Sequence, residues 1–146
     1  MDDLHYDKLR SMYLRAKVNT DVYDTTTCLI TEGEAQIGMT LSDKYFHALG
    51  AIHGSVYFKL LDDAAFFAVS SIVRDVFVLT TSFNIQMIRP VSSGDIKAIG
   101  TVRFKSKNLF VAESTLFDEK GREIGFGTGN FMKSKVGLTE DIGYEL

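Results

Sequence analysis

The residues best suited to chemistry lie in one stretch, where a loop with glycines at 50 and 54 opens onto the longest apolar run of the chain. One lysine and two adjacent aspartates, Asp62 and Asp63, interrupt this run. A carboxylate removed from water costs several kcal/mol unless it is paired or takes up a proton. Two aspartates inside a buried helix therefore indicate an ion pair, an acid–base group, or one of each.

The neighbours of the two aspartates differ. Asp63 has Lys59 four residues before it, the spacing of a helical ion pair. Asp62 has Phe58 and Phe66 at its four-residue spacings, although Lys59 is also within reach three residues before. Apolar neighbours raise the pKa of a carboxyl, which suits a base that works near neutral pH. On the residues alone, either aspartate is a candidate for that base.

The residues that precede the helix offer hydrogen-bond donors. Gly54 would place a backbone N–H at the helix N-terminus, where unsatisfied donors and the helix dipole favour an anion. His53 is a candidate to cap the helix, and His47 lies in the loop before it. The chain has no Gly-x-Ser-x-Gly sequence, so a nucleophilic serine, Ser55 included, is not indicated.

Composition limits the class of protein. The chain has 146 residues, the size of one domain, with 45% hydrophobic and 24% charged residues and a net charge of -3, which argues against nucleic-acid binding. The single Cys28 and three scattered histidines predict no disulfide and no metal site. An acidic N-terminus and the absence of a long uncharged apolar run predict a cytoplasmic protein without a membrane span.

The periodicity of the apolar residues predicts the elements that position these groups. It indicates an amphipathic helix over 3–17, a polar loop to 27, one strand over 27–41 bulged near Gly33, a loop over 42–52 and a central helix over 54–72. Alternation then continues to about residue 135, which predicts three or four antiparallel strands joined by tight hairpins. Residues 136–146 show no clear period.

A helix that is apolar nearly all round must be covered on more than one side, and a curled sheet would do so. We therefore predict a single α+β domain, 1–146, in which about five or six antiparallel strands wrap around one long helix. Its core would span about 27–134. A long strand at the edge of such a sheet tends to pair with another subunit, so a dimer with a continuous sheet is expected.

These residues and their order resemble the hotdog-fold thioesterases of the PaaI-like group, over about residues 27–134. Gly50, His53 and Gly54 match the loop motif of that group, and Asp62 stands at the position of its helical acid. The segment 87–90 with Gly94-Asp95 resembles the group's strand end and turn. Two residues depart from the pattern: His47 stands where the group has Asn or Gln, and Ser55 stands at its second glycine.

The resemblance implies hydrolysis of an acyl-coenzyme A thioester, with coenzyme A as part of the substrate and no other cofactor. It favours Asp62 over Asp63 as general base or nucleophile, and implies that the Gly54 N–H stabilises the oxyanion. Because eight helical residues rise about 12 Å, these two groups of one helix cannot reach one carbonyl. We therefore expect each site to combine Gly54 of one subunit with Asp62 of the other, in a homodimer or a dimer of dimers.

Other residues have a candidate role beside a plain structural one. His47 could donate a second hydrogen bond to the thioester oxygen or could be a solvent-facing loop residue, and His53 could assist catalysis or only cap the helix. The remaining candidates for contact with the substrate are Ser55, Thr80, Thr81 and Phe66.

Two other functions stay open on the sequence. A hotdog domain that binds an acyl- or aryl-coenzyme A ligand without hydrolysing it is compatible with the departures at His47 and Ser55. A hotdog dehydratase or hydratase fits less well, because the dehydratase type has a proline-rich segment around its histidine and Pro90 is the only proline here.

Overall fold

The computed structural model describes residues 3–146, which form one six-stranded antiparallel sheet and a long helix packed against it. The helices are α1 (Leu4–Arg15) and α2 (Gly54–Ile72). The strands are β1 (Thr27–Thr31), β2 (Glu34–Thr40), β3 (Val76–Met87), β4 (Asp95–Lys105), β5 (Leu109–Phe117) and β6 (Glu123–Gly137). The predicted fold class, a sheet with one central helix and an N-terminal helix, is confirmed.

Helix α2 forms the centre of the core. Leu60, Leu61 and Ala64 are fully buried, and they pack against the inner face of the sheet. At Gly100 of β4 a side chain would not fit, since an added Cβ would lie 2.3 Å from the Ala64 backbone. The glycine therefore lets α2 approach the sheet closely, which holds the two aspartates of α2 at a fixed distance from the strands.

The segment 27–41 differs from its prediction. Instead of one bulged strand it forms the hairpin of β1 and β2, in which Thr31 faces Glu34 across a two-residue turn. Gly33 occupies the second turn position with φ +75°, a left-handed conformation that favours glycine. Buried residues alternate on both sides of the turn, so the hairpin and a bulged strand leave similar patterns in the sequence.

The order of the strands also differs from a simple meander. The sheet runs β1-β2-β4-β5-β6-β3, so β3 pairs only with β6 and lies at one edge. The segment at Pro90 is therefore a crossover between distant strands, and the hairpin that we predicted there between β3 and β4 is wrong. Alternation reports which face a side chain occupies but carries no information about the neighbouring strand.

Short helical turns complete the chain. Residues Val18–Val22, predicted as a loop, form one π-helical turn, and Glu140–Ile142 form a 3-10 turn in the segment without clear periodicity. This last turn brings the C-terminal segment to α1, where an added Cβ on Gly143 would lie 3.6 Å from Met12. No helix among residues 3–146 has the length and hydropathy needed to cross a membrane.

Candidate active site

Asp62 lies in the middle of α2 and faces β3. Its side chain accepts a hydrogen bond of 2.9 Å from the Thr80 hydroxyl. The ion pairs formed by residues 3–146 do not include Asp62. Burial raises the pKa of its carboxyl from the ordinary 3.8 to about 6, although the Thr80 hydrogen bond partly offsets that effect. A carboxylate with this pKa is ionised near neutral pH and remains basic enough to accept a proton.

Asp63 has different surroundings, although it is the next residue. Its Oδ2 accepts hydrogen bonds from Lys59 Nζ at 2.7 Å and from the Tyr13 hydroxyl at 2.6 Å. The Lys59 ammonium also lies 4.7 Å from the centre of the Tyr13 ring, and the Lys59 side chain is only 10% exposed. Burial and the Asp63 carboxylate raise the pKa of Tyr13, so the phenol stays protonated and donates. Asp63 is thus engaged in tying α1 to α2.

A cavity of about 720 Å³ opens beside Asp62. Its wall is mostly apolar and includes aromatic side chains of three elements, Tyr13 of α1, Phe66 of α2 and Phe77 of β3. Asp62 and Thr80 belong to the same wall. The cavity is therefore an apolar chamber whose wall includes the partly buried carboxylate of Asp62, which has no ion-pair partner among residues 3–146, and this arrangement is typical of sites for small organic ligands.

The beginning of α2 forms a second group of polar atoms. His53 is the N-cap, and its Nδ1 accepts a hydrogen bond from the Ser55 N–H at 3.1 Å. The Ser55 hydroxyl lies 2.9 Å from the same ring nitrogen. Gly54 is the first residue of the helix, and its N–H has no acceptor among residues 3–146. The free donor at Gly54 and the exposed end of the helix could bind a developing negative charge.

The structure brings together only some of the candidate residues. Asp62, Thr80 and Phe66 line the cavity. The Thr81 hydroxyl instead donates to the Asn130 carbonyl at 3.1 Å on the exposed side of the strand. Gly54 lies about 12 Å along the helix axis from Asp62, since eight residues separate them.

His47 also stays away from the cavity. It is exposed, and its Nδ1 accepts a hydrogen bond from the Leu49 N–H at 3.1 Å inside its own loop. Its ring therefore stabilises the loop that leads to His53. Among residues 3–146, no three His, Cys, Asp or Glu side chains gather closely enough to hold a metal ion.

Two parts of the cavity wall were missed by sequence reasoning. Tyr13 belongs to the apolar side of the predicted first helix, but that pattern does not reveal its hydrogen bond to Asp63. Ile142 of the C-terminal segment borders the cavity and carries no periodic signal at all. The sequence position of a tyrosine or an isoleucine gives no indication of the distant element that its side chain contacts.

Comparison with known proteins supports the same fold. The family model described as the thioesterase superfamily matches residues 49–124, a little over half of the chain. Among solved structures, the Escherichia coli PaaI protein of the phenylacetic acid degradation operon superposes with a TM-score of 0.80 at 18% identity, covering 94% of this chain and 100% of that one. No curated protein sequence matches the chain.

Two further structures are similar. A thioesterase family protein from Silicibacter pomeroyi has a TM-score of 0.78 at 21% identity, covering 88% of this chain and 96% of its own. A conserved protein from Pseudomonas aeruginosa has a TM-score of 0.76 at 20% identity, covering 86% and 98% respectively. The family match includes the segment that carries Gly54, Asp62 and Thr80. Because this match covers more than half of the sequence, the chain belongs to the thioesterase superfamily.

Proposed function

We propose that the protein hydrolyses an acyl-coenzyme A thioester to the free acid and coenzyme A. Asp62 would either activate the attacking water or attack the carbonyl carbon itself. One observation carries the proposal: a partly buried carboxyl, hydrogen-bonded to Thr80, lines an apolar cavity. Membership of the thioesterase superfamily supports the choice of a thioester as the bond that is broken.

The chemistry needs a base and an oxyanion donor at the same carbonyl group. In the first route Asp62 takes a proton from water, the water oxygen adds to the carbonyl carbon, and the carbon–sulfur bond breaks with protonation of the thiolate. In the second route the Asp62 carboxylate itself adds to the carbon, and the carbon–sulfur bond breaks as coenzyme A leaves as a thiolate that takes a proton from solvent. Water then hydrolyses the resulting mixed anhydride to the free acid and the Asp62 carboxylate. Both routes place negative charge on the carbonyl oxygen, which a free backbone N–H such as that of Gly54 would stabilise.

The two groups would come from different subunits. Gly54 and Asp62 of one helix are about 12 Å apart, too far to contact one carbonyl group. The edge strand β3 has 12 residues, and it carries Thr80 next to Asp62. A second copy that paired with this edge would bring the first residues of its own α2 toward the cavity. Because a two-fold axis makes each contact occur twice, both cavities of the dimer would receive such a helix start. We propose a homodimer with two sites.

A thiol reporter assay over short, medium, long and aromatic acyl-coenzyme A substrates tests this function. Turnover that disappears in an Asp62→Asn variant supports it. Absence of turnover for every acyl group would contradict it. Tight binding of an acyl-coenzyme A without release of product would instead favour a binding domain, a function with which the exposed His47 and its bond within its own loop are compatible.

A further inference from the structure

Strand β3 changes the set of residues that it presents to α2 near its midpoint. Val78 and Thr80, at even positions, face α2: Val78 is buried, and the Thr80 hydroxyl donates to Asp62. Beyond them the odd positions face α2, since the ring centre of Phe83 lies 5.7 Å from that of Phe58 in the helix. Side chains of an unbroken strand alternate strictly between its two faces. Thr80 and Phe83 can therefore share a face only if the strand is interrupted between them.

A β-bulge at Thr81 is that interruption. Thr80 lies opposite Phe131 of β6 and Ser82 lies opposite Asn130, so two steps along β3 correspond to one step along β6. Thr81 is the extra residue that a bulge inserts into one strand of a pair. Thr81 and Ser82 are both exposed, as is Asn130 opposite them. The bulge therefore keeps Thr80 on the α2 side while the strand beyond it continues in the opposite phase.

Asn130 holds this bulge through its backbone and through its side chain. Its carbonyl accepts a hydrogen bond of 3.1 Å from the Thr81 hydroxyl, and its side-chain amide donates to the Ser82 hydroxyl at 2.7 Å. The two residues of the bulge are thus fixed to the one residue that they oppose. Both contacts lie on the exposed face of the sheet, on the opposite side from Asp62.

The neighbouring register would present the other threonine to the helix. If the first half of β3 slid by one residue, so that the pairing of the second half continued through it, Thr81 would lie opposite Phe131 and face α2. Thr80 would then turn to the outer side, and Leu79 would replace Val78 on the inner side. Each register places one aliphatic residue and one threonine toward α2. The apolar pattern therefore discriminates weakly between the two registers, and the contacts of the bulge must select one.

We propose that Thr81 and Asn130 are positioning residues, which hold the bulge in place and thereby select Thr80 as the hydroxyl that donates to Asp62. This rests on the proposed function in one respect, because the role matters for catalysis only if Asp62 is the reacting carboxylate. Neither Thr81 nor Asn130 belongs to the cavity wall. Replacing either side chain should therefore weaken the hydrogen bond between Thr80 and Asp62 without removing a group from the cavity.

The titration of the Asp62 carboxyl, followed by carbon NMR in the full chain, tests the proposal without requiring turnover. Thr81→Val keeps the shape of the side chain and removes its donor, whereas Thr81→Ser keeps the donor. Asn130→Ala removes the contact with the second residue of the bulge. Thr128→Val is the matched control, because Thr128 is an exposed threonine of β6 that lies opposite Asn84 in a regular part of the ladder.

The charged groups around Asp62 are the same in all of these variants. Burial raises the pKa of Asp62, the Thr80 hydrogen bond lowers it, the Asp63 charge raises it and the Lys59 charge lowers it. Arg15 of α1, which also lines the cavity, is likewise kept. A change in the pKa of Asp62 in a variant of the bulge therefore reports on the Thr80 hydrogen bond.

We expect Thr81→Val and Asn130→Ala to raise the pKa of Asp62 by about half a unit, less than the rise in Thr80→Val. Thr81→Ser and Thr128→Val should leave this pKa unchanged. In the double variant Thr80→Val, Thr81→Val the pKa should equal that of Thr80→Val alone, because two residues that act through one contact are not additive. An unchanged pKa in Thr81→Val or in Asn130→Ala, or an equal rise from Thr81→Val with and without the Thr80 hydroxyl, would overturn the proposal.

The same variants separate this proposal from the proposed function. If the two threonine substitutions are non-additive in the pKa of Asp62 while no acyl-coenzyme A is hydrolysed, the positioning role holds and the hydrolase assignment fails. If acyl-coenzyme A is hydrolysed and Asp62→Asn abolishes this turnover, while Thr81→Val leaves the pKa of Asp62 unchanged, the hydrolase assignment holds and the positioning role fails.

Discussion

The Thr80 hydroxyl donates a 2.9 Å hydrogen bond to the Asp62 carboxylate, joining the edge strand β3 to the middle of the central helix. The neighbouring Asp63 is held instead by Lys59 and Tyr13. The two adjacent carboxylates, which lie about 100° apart around the helix axis, therefore have separate partners. Of the two, Asp62 is partly buried and has no ion-pair partner among the described residues, and this difference is the reason that we propose the catalytic role for Asp62 and a structural role for Asp63.

The pair of variants Asp62→Asn and Asp63→Asn should separate these roles. We expect Asp62→Asn to lower kcat/KM by about 10³-fold or more, because the amide can neither accept a proton nor attack carbon. Asp63→Asn should retain activity within about tenfold but lose roughly 2–3 kcal/mol of unfolding free energy, since the largely buried Lys59 side chain loses its carboxylate partner. Steady-state kinetics and denaturant unfolding measure both. An inactive Asp63→Asn beside an active Asp62→Asn would reverse the assignment.

The pH dependence of activity follows from the pKa of Asp62. Since burial raises this pKa to about 6, the base should be ionised above that pH and protonated below it. We expect log kcat/KM to be level at neutral pH and to fall with a slope near 1 below about pH 6. A profile that stays level down to pH 4.5 would show that the essential group has an ordinary carboxyl pKa and is not Asp62.

Replacing Thr80 should shift the acidic limb of the pH profile, the range in which log kcat/KM falls as the pH decreases. The Thr80 hydroxyl donates to the charged carboxylate and thereby lowers its pKa against the effect of burial. In Thr80→Val the shape is kept and the donor is lost, so the limb should shift to higher pH by up to about one unit. Thr80→Ser retains the hydroxyl and should leave the limb in place. An unchanged limb in Thr80→Val would argue that the hydrogen bond does not act on the ionised group.

The raised pKa of Asp62 should also make the free energy of unfolding depend on pH. The folded-state pKa of about 6 lies above the ordinary 3.8, so the ionised carboxyl opposes folding at high pH and the opposition is lost as pH falls toward 4. At pH 8 the full difference corresponds to roughly 3 kcal/mol, an upper limit for what Asp62→Asn can recover. We expect Asn to stabilise the fold by about 1–3 kcal/mol at pH 8 and by little near pH 4. Urea unfolding at both pH values measures this, and equal effects at both would contradict it.

The central helix was predicted over its full length, because its signals are local. The apolar run begins at Gly54 next to a residue that can cap, and its polar interruptions at Lys59, Asp62 and Asp63 mark the side that faces other groups. The distinction between the two aspartates was also visible, since the i, i+4 spacing from Lys59 to Asp63 corresponds to the observed ion pair. Short-range spacing on a helix translates directly into contact.

The rest depended on contacts between distant segments. Strand β3 alternates like its neighbours, yet its place at the edge beside β6 is set by the crossover that follows it. The pairing of Thr80 with Asp62 follows from that placement, which distinguishes Thr80 from Thr81. The contact between Tyr144 and His5 likewise joins the two ends of the chain, and no periodicity in 136–146 indicates it.

The Gly54 N–H can be removed without breaking the helix. Gly54 is the first residue of α2, where proline is well tolerated, and His53 before it already has the extended conformation that proline requires. Gly54→Pro should lower kcat by about 10²- to 10³-fold through loss of the oxyanion donor. Gly54→Ala is the control, since it keeps the N–H and its Cβ meets only the flexible Met87 side chain, with Sδ 3.1 Å away. Equal losses in both variants would indicate crowding rather than a lost donor.

Mixing the inactive Asp62→Asn and Gly54→Pro proteins tests most directly whether each site combines two subunits. A mixed dimer would pair an intact Gly54 with an intact Asp62 in one of its two sites, so random reassociation should restore about a quarter of the natural activity per chain. Native mass spectrometry would establish that mixed dimers form. Recovery to that level is the predicted result, whereas mixed dimers that stay inactive would contradict a site shared between Gly54 of one subunit and Asp62 of the other.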